Sequence, residues 1–330
     1  MKSRPKNLVV VLLLNKRPLP VIFSLAGLAL TDGERDLFRE AAPLGIIIFG
    51  RNCESPAQLR ALTSDVREVL GWDCPVLIDQ EGGRVQRLKP PHWQSIPPMK
   101  KFGESGEAEA LRTTILHMAR ELKDCGITVN CAPVLDVLTP ETHEAIGDRA
   151  FGADPVLVGR LGLVVCEALL EAGITPVIKH LPGHGRATLD SHKALPRVSE
   201  ALSVLDEIDF DPFRIVSKTH IGQRVWGMIA HLVYEGIDPQ APSSLSPKII
   251  QDIIRTRIGF DGFLVSDDLD MDALAAYGDV AERARLTLEA GCDAALYCSG
   301  KLPDMERIAK SVPNMTDAAW ARLQKSFAVL

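Results

Sequence analysis

Short apolar runs alternate with amphipathic helical stretches along almost the whole of this 330-residue chain, and that alternation limits the fold more than any other feature. The runs fall at residues 21–26, 45–49, 75–79, 128–133, 175–180, 225–231, 263–267 and 294–298. Each is the length of a strand, and a run such as 45–49 is apolar on both alternating faces, as a strand covered on both sides must be. The stretches between them carry helical spacing, for example at 56–70, 108–125, 155–172, 247–257 and 280–290. Ser55 before Pro56 and Ser246 before Pro247 read as helix starts, and Gly126, Gly173 and Gly291 as helix ends. Strand–helix units repeated in this way build a parallel sheet with helical crossovers.

Eight such units in one chain close into an α/β single-domain (β/α)8 TIM barrel, expected over residues 21–330. An open doubly wound sheet is the alternative, but no G-x-G-x-x-G follows the first strand. No linker divides the chain, and residues 316–330 read as a terminal helix packed outside the barrel. Residues 1–20 are taken as an N-terminal extension. The basic start Met1-Lys2-Ser3-Arg4 and apolar 8–14 resemble a short signal peptide, but Asn15-Lys16-Arg17-Pro18 ends the run with charge. The run is too short to span a bilayer.

Hydrophobic residues make up 46% of the chain, enough for a large core, and the net charge is −6. Without a basic run, nucleic acid is excluded as the expected partner, and no membrane partner is expected. Seven cysteines, an odd number with no C-x-x-C, read as reduced thiols of a cytoplasmic protein. A monomer is expected.

Polar residues stand at the C-terminal ends of four of the strands: Asp79, Lys179 with His180, His231 and Asp267. That is the end at which barrel enzymes place their chemistry. The densest cluster is Lys179-His180-Leu181-Pro182-Gly183-His184-Gly185, followed by Asp190-Ser191-His192. His180 and His184 have the spacing of two metal ligands on a helix, but Pro182, Gly183 and Gly185 oppose a helix there. The loop therefore reads as a device for holding a polar substrate and moving a proton, with no metal.

Asp79 through Arg87 could clasp hydroxyl groups, with Gly82-Gly83 allowing a sharp turn; a solvated surface loop is the plainer account. Arg149 could be a hydroxyl clamp or a surface ion-pair partner of Asp148. Asp267 ends a strand as a nucleophile or base would, and strand alternation predicts that only one of Asp267 and Asp268 faces the barrel axis. Asp190 and His192 could form a carboxylate–imidazole pair.

Taken together, 179–185 with Asp190-Ser191-His192 closely resembles the defining motif of the β-N-acetylhexosaminidases of glycoside hydrolase family 3, the NagZ type of peptidoglycan recycling. Supporting motifs are 45–49, 79–87, 130–136, 146–152, Ala230-His231 and Ser266-Asp267-Asp268-Leu269. The resemblance implies a single-domain TIM barrel and a retaining exo-hydrolase that needs no cofactor. In that reading Asp267 is the nucleophile and His192, paired with Asp190, the general acid/base. Asp79, Arg87, Arg149, Lys179 and His180 hold the hydroxyls of a terminal N-acetylglucosamine, while His184 shapes the loop. The implied substrate is an N-acetylglucosamine–anhydro-muramyl peptide met in the cytoplasm. Leu181, where phenylalanine is usual, and Asp270, where serine is frequent, depart from the pattern without removing a catalytic group. Phosphorolysis or β-glucosidase action on the same fold, a Schiff-base aldolase using Lys179, and a non-catalytic sugar-binding protein are the competing readings.

Overall fold

The computed structural model describes residues 17–190 and 195–327. Eight strands close into one parallel barrel: β1 (Leu19–Ser24), β2 (Pro43–Ile48), β3 (Val76–Ile78), β4 (Val129–Asn130), β5 (Thr175–Leu181), β6 (Trp226–Ile229), β7 (Leu264–Asp268) and β8 (Ala294–Tyr297). Each strand pairs with its chain neighbours, and β8 returns to β1 with Val21 opposite Ala295. Every residue of β2 and of β5 is buried, because helices cover the outside and side chains fill the inside.

The outer layer is formed by α1 (Asp32–Ala41), α2 (Pro56–Leu70), α3 (Ala108–Asp124), α4 (Pro155–Ala172), α5 (Asp211–Ser217), α6 (Ile249–Ile258), α7 (Val280–Glu289) and α8 (Leu302–Ser311). Local chemistry sets their ends. Ser55 accepts the Gln58 N–H at the start of α2, and Asp154 accepts two N–H groups at the start of α4. The helix starts are further fixed by Pro56 and Pro155 at the first turn, and Gly173 ends α4 in the left-handed conformation. Ser246 likewise accepts the Ile249 N–H ahead of α6. A further helix, α9 (Asp317–Ser326), packs against the N-terminal end of β6, where the Trp226 indole N–H donates to Ser326 Oγ at 2.9 Å.

All eight expected strands are present, with shifted ends. The first begins at Leu19, two residues early, because the Leu19 N–H reaches the Ala42 carbonyl; it stops before Ala26, whose N–H is taken by Glu34. The fourth is shorter than 128–133, since Pro133 has no N–H to give to a ladder. The expectation for residues 1–16 lies outside the described residues. Among the described residues no helix is long and apolar enough to cross a membrane. The seven cysteines are free, and all except the half-buried Cys53 are buried.

Two register shifts matter for the site. Between β5 and β6, Lys179 pairs with Met228 but Leu181 with Ile229, so His180 is an extra residue. Between β7 and β8, Val265 pairs with Ala294 but Asp268 with Leu296. Each bulge re-aims side chains at a strand end.

Candidate active site

The strand ends open into a cavity of about 340 Å³ lined by Asp79, Glu81, Arg87, Arg149, Lys179, His180, His184, Asp190, Asp267 and Asp268, among others. Every site residue expected from sequence lines it except His192, which lies outside the described residues. The bulge in β5 turns the consecutive side chains Lys179 and His180 into the same cavity. The bulge in β7 does the same for Asp267 and Asp268, which corrects the expectation that only one of them faces inward: simple alternation fails where an extra residue enters a strand.

Five charged groups form a continuous network on the cavity wall. Arg87 Nη2 donates to Asp79 Oδ2 at 3.0 Å, and Lys179 Nζ donates to Asp79 Oδ1 at 2.9 Å. Lys179 also reaches Glu81 Oε1 at 2.7 Å. Arg149 grips the same carboxylate with both arms of its fork, Nε to Oε2 and Nη2 to Oε1, each at 2.8 Å. Arg149 is therefore not the surface partner of Asp148; that carboxylate binds Arg84 at 2.9 Å. The Arg87 guanidinium also lies over the Phe49 ring, 5.1 Å from its centroid.

These contacts settle protonation. Burial alone would raise the Asp79 and Glu81 carboxyls, but Lys179 and Arg87 outweigh it at Asp79, holding that group well below the usual carboxylate range. At Glu81, Arg149 and Lys179 pull the group down to about 2. Burial works the other way on Lys179, yet Asp79 and Glu81 overcome it and raise its ammonium above the ordinary lysine value. A charged amine of this kind is a hydrogen-bond donor and a poor carbonyl nucleophile, which argues against the Schiff-base reading.

Asp136 organises the next layer. Its Oδ2 accepts from His180 Nδ1 at 2.7 Å, and its Oδ1 accepts the backbone N–H groups of His180 and His184 at 3.2 and 2.7 Å. Burial would raise Asp136, but His180 leads the contacts that lower it to about 2. His180 Nδ1 is thereby fixed as the donor, and its Nε2 faces Arg149 Nη2 at 3.4 Å. His184 is buried with its ring edge-on to His180, and burial with the neighbouring imidazole pushes it down to about 4. It also lines the cavity.

The two aspartates of β7 are held differently. Asp267 Oδ1 accepts the Asp268 N–H at 2.8 Å. Burial would raise it, but His180, His231, that N–H and Lys179 lower it, so it is ionised at neutral pH. Asp268 uses Oδ1 to accept the N–H groups of Cys298 and Asp270 at 3.0 and 3.1 Å, a turn-building role, and burial pushes it up to about 6. His231 does not line the cavity. It sits behind β7, buried, with Nε2 donating to the Asp268 carbonyl at 3.0 Å and Nδ1 accepting from Ser244 at 2.7 Å.

Glu81 on the wall and Asp136 behind it are the residues that sequence reasoning did not single out. Glu81 had a signal, since a spacing of two from Asp79 puts both on one side of an extended segment. Asp136 had only its place in the 130–136 motif.

The family model for the glycosyl hydrolase family 3 N terminal domain matches residues 27–328. A β-hexosaminidase of Nitrosomonas eutropha is 38% identical over 288 residues, 85% of this chain and 80% of that protein. Native NagZ from Neisseria gonorrhoeae superimposes with a TM-score of 0.85 at 32% identity, covering 94% of this chain and 90% of that one. NagZ from the same organism in complex with N-trifluoroacetyl-D-glucosamine gives 0.84 at 32% identity over the same shares.

Proposed function

The chain belongs to glycosyl hydrolase family 3 and is a glycoside hydrolase of the β-hexosaminidase group, and from that premise we propose that it removes terminal N-acetylglucosamine from muropeptides with retention of configuration. The carbohydrate assignment draws on the related NagZ, whose complex holds a glucosamine derivative. The observation that carries the reading is an ionised Asp267 facing a wall of fixed donors across one cavity. Arg87, Arg149 and Lys179 are already oriented by Asp79 and Glu81, so a sugar's hydroxyls meet donors that need no reorganisation.

In this reading Asp267 attacks the anomeric carbon while the departing oxygen is protonated. His192, with Asp190 as its carboxylate partner, supplies that proton and then activates the water that releases the sugar. The usual retaining scheme employs two carboxylates. An imidazole in place of one exchanges protons near neutrality, where an ordinary aspartate is already ionised. Asp268, tied to two backbone N–H groups, shapes the turn instead. Residues 21–330 then form the catalytic domain and 1–20 an extension, and the enzyme works in the cytoplasm on imported wall fragments. Recovery mainly from the periplasm would overturn that location.

The decisive experiment is trapping with a fluorinated N-acetylglucosaminide followed by peptide mapping. The label is expected on Asp267; label on Asp268 or elsewhere removes the assignment.

A further inference from the structure

Apart from the charged wall of the cavity, a second cluster of charges lies at the neck of the segment leaving β5. The outgoing arm, residues 182–187, is pinned at several points. Tyr234 Oη donates to the Gly183 carbonyl, Thr142 Oγ1 to that of Gly185, and the His143 N–H to that of Ala187. Beyond it, Thr188 and Leu189 are exposed and Asp190 is half-buried over the cavity. The returning arm is anchored where Arg197 and Val198 pair with Val233 and Tyr234.

One side chain joins the two arms. Arg186 Nε donates to Asp209 Oδ2 at 2.7 Å, and its Nη1 donates to Glu200 Oε2 at 3.1 Å. Arg186 and Glu200 are fourteen residues apart, so a single guanidinium closes the base of the whole excursion. Asp209, just ahead of α5, belongs to the outer layer and is 1% exposed. Its Oδ1 has no hydrogen-bond partner among the described residues, which leaves Arg186 as the contact that compensates its burial. Gly183 packs directly on it: a Cβ there would stand 3.0 Å from Asp209 Cβ. The neck is thus seated on the carboxylate by both a glycine and a guanidinium.

We propose that Arg186 is a positioning residue, clamping the outgoing arm to Asp209 and to Glu200 of the returning arm and thereby holding Asp190 at the cavity for the acid/base step. This rests on the reading that the 187–199 excursion carries the acid/base pair. The clamp acts on proton delivery and not on the nucleophile, so its loss must show in leaving-group dependence.

The test compares Arg186→Ala, Arg186→Lys and Glu200→Gln with His192→Ala, on 2,4-dinitrophenyl and phenyl β-N-acetylglucosaminides, with hydrogen exchange of 187–199 measured alongside. In Arg186→Ala, kcat/KM on the phenyl glycoside should fall roughly tenfold further than on the activated one, with exchange across 187–199 accelerated. Arg186→Lys, which keeps one of the two contacts, and Glu200→Gln should be intermediate in both readouts. Unchanged exchange in Arg186→Ala overturns the clamp. Accelerated exchange with equal losses on both glycosides, while His192→Ala remains leaving-group dependent, overturns the positioning role. Equal losses in His192→Ala mean instead that the acid/base assignment has failed, and the clamp then stands or falls on exchange alone.

Discussion

Glu81 is the residue on which the charged wall of the cavity turns. It receives Lys179 and both arms of the Arg149 fork while almost wholly out of water. Removing one partner of such a buried set leaves charge uncompensated, which costs about 3–5 kcal/mol. Glu81→Gln should therefore lower stability by about that much at pH 7, measured by denaturant titration. It should also change the acid limb. A carboxyl held at about 2 contributes stability that is full above its unfolded value and is lost as pH falls toward 2. The wild type should lose more stability than the variant between pH 5 and pH 3; parallel curves would show that Glu81 is not ionised in the network. Most of this wall was legible from residue type and place, because Asp79, Lys179 and His180 stand at strand ends. Its pairing was not: Arg149 sits 68 residues from Glu81, and nothing local says that it prefers that carboxylate to adjacent Asp148.

At the scale of elements, the strands were readable because burial on both faces demands continuous apolar runs. The bulges in β5 and β7 were not, since an extra residue exists only relative to the register of a neighbouring strand. Those bulges put Lys179 beside His180, and Asp267 beside Asp268, in one cavity. The turn after β5 makes a related demand. A Cβ on Gly185 would come within 1.8 Å of the Val137 carbonyl oxygen, backbone that cannot give way cheaply. Asp136, one residue before, holds both His180 and His184. Gly185→Ala should thus displace the histidines rather than unfold the barrel. A shift of about 1 Å costs on the order of a hundredfold in rate. We expect a loss of that size in kcat/KM with a small change in Tm. Near-normal turnover would mean that the turn and the charged wall are mechanically independent.

For the molecule as a whole, the barrel gathers its charged strand ends at one mouth, and that geometry bears on which bond of a chain is cut. The cavity is about 340 Å³, at the small end for ligand sites, and the Arg87–Asp79–Lys179–Glu81–Arg149 network forms part of its wall. Fixed donors along a wall suit the several hydroxyls of a terminal sugar. An internal residue lacks one of those hydroxyls, because the next sugar occupies it, and would leave a buried donor unpaired. Discrimination of that kind reaches several kcal/mol, since the unmade hydrogen bond is charged on the protein side. The enzyme should accordingly act from the non-reducing end. With chitotetraose labelled at its reducing end, free N-acetylglucosamine and labelled trimer should appear together as the first products. Arg149→Lys should slow that step while keeping its order, because a point charge replaces the fork that grips Glu81. Labelled dimer appearing first, without the trimer, would mean that the wall accepts an internal sugar, and the exo assignment would fall with it.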